Sequence, residues 1–222
     1  MKILVIDDTQ VHLDAAVQQL GKDHDLTVCS SHEEAYRLLG EQYADTMSAL
    51  KEKYKSEGMD NWKAYEKAES ESKLPYWDAV LTDLLMPAGK MAQGGEGLKY
   101  VGQEMAVGWS LALRAAKMGA KCIAVVTDMD HHHHPASAML DNLDGHIFEI
   151  EGAKMLLTNH VGIVGITGTE CSCTECGGSG KKSRTDGSTY DCYYCKNGID
   201  FSKKGKNWEE ILSRFTKASE GK

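Results

Sequence analysis

The chain has 222 residues, 41% apolar and 26% charged, which suffices to bury a core and excludes a disordered polypeptide. Its net charge of −8 is uneven: residues 171–222 balance at +3 and the remainder at −11, so the larger part carries no general nucleic-acid footprint, and the mildly basic tail permits nucleic acid without arguing for it. No apolar run approaches the ~18 residues of a membrane span, and MKILVIDD is too short in apolar residues for a signal peptide; the expectation is a cytoplasmic protein without a membrane partner.

In chain order, Ile3 to Ile6 reads as a buried strand. His12 to Leu20 has helical spacing, with Leu13, Ala16, Val17 and Leu20 on one face. Leu26 to Cys29 is a second strand, and Ser31 N-caps a helix reaching Leu39. A polar segment rich in Glu, Lys and Ala, from Gly40 to about residue 75, extends that helix into a protrusion. Trp77 to Leu81 is a third strand ending at Thr82-Asp83. Residues 88–108 form a glycine-rich loop after Pro87, beside a strand's carboxyl end, where open α/β sheets build sites. Trp109 to Met118 is a helix, Cys122 to Val126 a fourth strand, Pro135 to Leu143 a short helix and His146 to Ile150 the fifth strand. This alternation predicts a five-stranded parallel sheet with helices on both faces. The expected organisation is an α/β domain over 1–155, a connector over 156–170, and a zinc-binding module with a closing helix over 171–222.

Strand one ends in Asp7 and Asp8, strand three in Asp83, and strand four in Thr127. Three carboxylates converging from two strands repel one another and call for a cation, and hard oxygen ligands select Mg²⁺. One carboxylate could then act as nucleophile toward a phosphoryl group.

ILVIDD at 3–8, LTDLLMP at 81–87 and AVVTD at 124–128 resemble the strand ends of response-regulator receiver domains, which have a flavodoxin-like fold. The resemblance covers roughly residues 1–150. It implies Asp83 as phosphoacceptor, Mg²⁺ on Asp7, Asp8, Asp83 and the Leu85 backbone carbonyl, and Thr127 as the switch hydroxyl. It also implies a protein partner, either a histidine kinase or phosphotransfer protein or a docking partner, with a homodimer allowed. Two positions depart from the family. Counted without gaps from Thr127, the lysine at the end of strand five falls on Glu149, with Lys154 reachable only by a register shift. Asp128 stands where the family has a small residue. The alternatives are therefore a phosphorylation-deficient scaffold or a Mg²⁺-dependent phosphoryl-transfer enzyme. A minor variant reads AVVTDMD as resembling haloacid-dehalogenase-type phosphatases, with Asp128 as nucleophile and Asp130 as acid/base. His131 to His134, beside Asp128 and Asp130, could bind a transition metal or respond to pH; the plainer reading is a solvated loop leading to Pro135.

Five of the seven cysteines lie between 171 and 195. Cys173-Thr-Glu-Cys176 and Cys192-Tyr-Tyr-Cys195, with 15 residues between the pairs, match a structural Zn²⁺ site built from two tight turns. Cys171 is a fifth thiol, one more than a tetrahedral site uses. The first pair with its glycines resembles the cysteine-rich repeats of J-domain co-chaperones, which supports a zinc fold and no more. Lys203, Lys204 and Lys206 after the pairs read as a solvated loop.

Overall fold

A computed structural model describes residues 1–72, 76–90, 94–130, 132–167, 181–184, 188–191 and 199–220. Continuous apolar stretches form the strands of one six-stranded sheet: β1 Lys2–Ile6, β2 Asp25–Cys29, β3 Ala79–Asp83, β6 Cys122–Val126, β7 Ile147–Ile150 and β8 Ala153–Thr158. Their spatial order is β2-β1-β3-β6-β8-β7. The first five run parallel and β7 pairs antiparallel with β8 at the edge. The chain is thus α/β with a mostly parallel central sheet, compatible with the flavodoxin-like order. Between β3 and β6 lies a two-residue ladder of β4 Met86–Pro87 on β5 Glu104–Met105.

Alternate residues of the parallel strands feed two cores. Leu4, Ile6, Val80, Ile123 and Val125 face α2 (His32–Ser56) and α4 (Gly108–Lys117). Ile3, Val5, Ala79, Leu81, Ala124 and Val126 face α1 (Gln10–Leu20) and a C-terminal helix, α6 (Trp208–Glu220). Trp208, Ile211, Leu212 and Phe215 of α6 are buried in that second core. The closing helix therefore belongs to the sheet domain, rather than to a separate module after residue 170.

The expected protrusion is two helices. α2 starts on Ser31, whose side chain accepts from the Glu34 N–H, and runs to Ser56; α3 (Asn61–Glu71) packs back on it through Tyr54, Ala64 and Ala68. The α1 face differs from its expected one. Val17 is exposed while His12 is buried, because α1 is also covered by α6 and by a strand arriving from far along the chain, β12 (Ile199–Lys206). That strand pairs antiparallel with β9 (Ile163–Thr167), with a register shift between Asp200 and Lys204, and a short hairpin of β10 (Lys181–Ser183) and β11 (Thr189–Asp191) lies between them in sequence.

The fifth parallel strand is Ala153–Thr158 and not His146–Ile150. Ile150 pairs with Ala153, so Glu151 and Gly152 form a two-residue hairpin turn, both with positive φ (52° and 81°), the geometry that suits strand twist. The hairpin reverses direction, so His146–Ile150 becomes an antiparallel edge. Gapless counting to Glu149 therefore lands on the wrong strand, where Glu149 faces Lys154.

Candidate functional site

At the carboxyl ends of β1, β3 and β6 the chain leaves the sheet beside a cleft of about 280 Å³. Its walls include Asp8, His12, Asp83, Leu85, Glu104, Thr127, Asp128 and Lys206. β1 and β3 are adjacent, and the order reverses here, where open α/β sheets place ligands. Asp7 and Asp83 are buried because each is the last or next residue of an interior strand. Gly108, opening α4, lets that helix approach: a Cβ there would stand 2.1 Å from the Asp83 carbonyl oxygen.

The cation of the site is Lys206. It is 1% exposed, and its Nζ donates to Asp7 Oδ2 at 2.7 Å and Asp83 Oδ1 at 2.6 Å, with Asp128 Oδ1 at 3.3 Å. The fifth parallel strand ends in Thr158 and not in a lysine, so the ammonium comes from elsewhere in the chain. It arrives on β12, at the end of an excursion that begins after β8, instead of on β8 itself. The end of β8 is otherwise engaged: Thr158 donates to Asp144 and accepts from Arg214 of α6.

A second ring of contacts fixes Lys206. Its backbone N–H donates to His12 Nδ1 at 3.3 Å, which leaves the His12 proton on Nε2, 3.3 Å from Asp128 Oδ2. Trp208 Nε1 donates to the His12 carbonyl at 2.8 Å, and Gln19 Nε2 to the Lys206 carbonyl at 3.0 Å. Asp7 Oδ1 accepts from the Thr9 N–H and Asp83 Oδ2 from the Leu85 N–H. Thr127 Oγ1 accepts from the Met129 N–H, and the Met129 carbonyl accepts from Ser137.

Burial pushes the Asp83 carboxyl up to about 7, with Asp7 and Asp128 adding to the rise and Lys206 opposing it. Burial and the neighbouring Asp7 raise Asp8. Asp128 is held well below the ordinary carboxylate range by the His12 hydrogen bond. Burial alone would lower Lys206, but the Asp83, Asp7 and Asp128 carboxylates hold it above its ordinary value. Lys206 therefore faces the carboxyl groups of Asp7, Asp83 and Asp128, and Asp8 and Glu104 line the same cleft.

Asp8, Asp83 and Leu85 all line the cleft, and Asp8 is exposed. Both Asp7 oxygens are engaged within the protein, one by Thr9 and one by Lys206, and so are both Asp83 oxygens, one by Lys206 and one by the Leu85 N–H. Among the described residues, no three His, Cys, Asp or Glu side chains are gathered as a ready-made metal cage.

The structure brings together Asp7, Asp83, Lys206 and Asp128 directly, with Asp8, Leu85 and Thr127 on the same cleft. Lys206 and His12 were not expected here. A solvated role suits Lys204, which is exposed, and not Lys206. His133 is exposed beside Asp130, and His134 caps the short α5 (Pro135–Ala138); His131 lies outside the described residues. Cys171, Cys173, Cys176, Cys192 and Cys195 also lie outside them, in the segment between β9 and β12. No helix among the described residues is long and apolar enough to cross a membrane. No family model, curated protein or solved structure matches the chain.

Proposed function

We propose that the chain is a receiver-type phosphoacceptor, in which Asp83 takes a phosphoryl group and the change passes to a protein partner. One observation carries the reading: a buried lysine joins the carboxylates at the ends of β1 and β3, in an open cleft that Thr127 also lines.

An Asp83 carboxylate oxygen attacks phosphorus, and the donor's bond to phosphorus breaks with its electron pair leaving on the donor. The product is a mixed acyl phosphate. Asp8, Asp83 and the Leu85 carbonyl would hold Mg²⁺, which when bound supplies positive charge to the phosphoryl oxygens. Lys206 is the chain's own cation at that point and can move its hydrogen bond from the Asp83 oxygen to the incoming group. Thr127 has its oxygen engaged by the Met129 N–H, so its hydroxyl proton is left to donate to a phosphoryl oxygen. Movement of Thr127 pulls on Met129 and, through the Met129 carbonyl, on Ser137 of α5, a chain of contacts leading out of the site.

The scaffold alternative rested on Glu149 in place of the lysine. With Glu149 on the antiparallel edge and Lys206 on Asp83, the phosphoacceptor reading is the better supported. The cysteine spacing further supports Zn²⁺ bound by Cys173, Cys176, Cys192 and Cys195, inside the excursion that ends at Lys206. A histidine kinase or phosphotransfer protein is the partner class this chemistry calls for.

Beryllofluoride with Mg²⁺ mimics the phosphoryl group without being hydrolysed. The Trp208 ring lies 5.8 Å from the Lys206 ammonium, so tryptophan fluorescence or NMR reports the site. A saturable, Mg²⁺-dependent change in the wild type that Asp83→Asn abolishes is the expected result. No change at any Mg²⁺ concentration overturns the reading.

A further inference from the structure

We infer that Asp128 makes the phosphoacceptor self-clearing, by orienting the water that hydrolyses an acyl phosphate on Asp83, with His12 holding the Asp128 carboxylate in place. This rests on the reading of Asp83 as phosphoacceptor.

Asp128 follows Thr127 directly at the end of β6, and its side chain is 40% exposed, whereas Asp83 behind it is buried. It forms part of the wall between the phosphoacceptor cleft and a second open cleft of about 190 Å³, lined by Asp128, Met129, Asp130, Asn159 and His160. Solvent therefore reaches Asp128 from a side that a phosphoryl group in the main cleft leaves open. Asp83 and Asp128 both lie on the Lys206 ammonium, so the two carboxylates are separated by no more than the span of one ammonium's contacts. A phosphoryl group on Asp83 would stand within reach of a water held by Asp128.

Charge pairing with Lys206 alone does not account for Asp128. Asp7 and Asp83 already engage Nζ at 2.7 and 2.6 Å, and Asp128 makes the longest of the three contacts. It is instead the carboxylate whose position is built. Oδ1 rests on Lys206 and Oδ2 on His12 Nε2, while the His12 ring is oriented from behind by the Lys206 N–H and its backbone is pinned by Trp208. Lys206, His12 and the Asp128 N–H engage the carboxylate, and of its roughly four acceptor sites one is left for a water proton. The His12 contact also favours the ionised form of Asp128, the stronger acceptor.

The water oxygen attacks phosphorus, and the bond from phosphorus to the Asp83 oxygen breaks with its pair returning to the carboxylate. One water proton, steadied by Asp128, passes to the departing phosphate or to solvent, and inorganic phosphate leaves through the cleft. No oxidant or further reactant enters.

The test is the decay of the phosphorylated full-length chain. Protein is labelled with a small phosphodonor and Mg²⁺, the donor is removed, and the adduct is followed by intact mass in wild type, Asp128→Asn, Asp128→Ala, Asp128→Glu and His12→Gln. Positioned acid–base groups are typically worth ~10²–10⁴-fold; a group that orients water without taking the proton outright is expected near the low end, so Asp128→Asn and Asp128→Ala should decay at least ~10-fold more slowly. His12→Gln should fall between them and wild type, and Asp128→Glu should recover part of the rate. An adduct visible only in the Asp128 variants, because the wild type clears it too fast, also supports the inference. Decay as fast as wild type in both Asp128→Asn and Asp128→Ala, with the beryllofluoride complex intact, overturns the role of Asp128 alone. Loss of the beryllofluoride complex in the wild type overturns the phosphoacceptor reading and this inference together.

Discussion

Replacing Lys206 by methionine keeps most of the side-chain length and removes only the charge. The ammonium sits between two carboxylates that are almost entirely buried, Asp7 and Asp83, at 2.7 and 2.6 Å. Deleting one partner of a buried ion pair strands the other, at a cost of about 3–5 kcal/mol. For a domain of this size, that corresponds to a fall in Tm of about 6–20 °C. The deficit depends on pH with a definite sign. Asp83 already has a folded pKa near 7, above its ordinary value of 3.8, and without Lys206 burial raises it further. The folded variant then takes up a proton that the unfolded chain does not bind, so stability is regained as pH falls from 8 toward 5. Lys206 itself, raised from an ordinary value of 10.5, contributes no slope in that window. Urea unfolding followed by circular dichroism at pH 8.0 and 5.5 measures both effects, and Lys206→Met/Asp83→Asn should recover much of the loss at pH 8. A deficit below ~1 kcal/mol would match an exposed ion pair and refute the buried triad. A large deficit equal at both pH values would refute the assignment of the stranded charge to Asp83.

Asp83→Asn alone should stabilise the protein at pH 8, where the wild type must keep a buried carboxylate ionised, and the difference should shrink toward pH 5 as Asp83 is protonated; paired melts across that range decide it. Gly108→Ala forces a methyl to within 2.1 Å of the Asp83 carbonyl oxygen, so α4 must shift. A loss of about 1–3 kcal/mol is expected, with weakened beryllofluoride binding, and an unperturbed variant would mean α4 is not seated there. Phe215→Ala should cost about 3–5 kcal/mol, because the ring is buried in the sheet's second core; a change confined to the C-terminus, with no effect on the global melt, would detach α6 from the domain. Elemental analysis should find one Zn²⁺ per chain, lost in Cys176→Ser and in Cys192→Ser, and retention of the metal in both would rule out the four-cysteine site.

Four of the five parallel strands were readable because each is a short apolar run, and a polar residue at the end of such a run must lie at the sheet's edge. That placed Asp7, Asp8, Asp83 and Thr127 at one end of the sheet. Lys206 was not readable by the same route. Its partners Asp7 and Asp83 are 199 and 123 positions away in sequence, and it is buried by a β9–β12 pairing that local periodicity does not encode. One signal is present: Lys206 stands just before the amphipathic helix that begins at Trp208, so a helix that docks on the sheet draws the residues leading into it toward the same end of the strands. The misplaced fifth strand has a local cause. Glu151-Gly152 lacks the usual Asn-Gly or Asp-Gly signature of a tight hairpin, so the sequence points to IFEI as the parallel strand and places Leu156 to Thr158 in a connector. His12 gave no sequence signal, since its burial comes from β12 covering α1.

The arrival of Lys206 on a late strand also shapes how the molecule is made. Synthesis proceeds from the N-terminus, and domains begin to fold as they emerge. Residues through Thr158 supply all five parallel strands, yet they carry Asp7 and Asp83 to adjacent positions with no ammonium to hold them. The contact that neutralises the pair has among the longest sequence separations in the chain, and such closures come late in folding. The nascent protein must therefore carry a repelling pair of acids until β12 and α6 have left the ribosome, so docking of the C-terminal helix is also the step that completes the pocket.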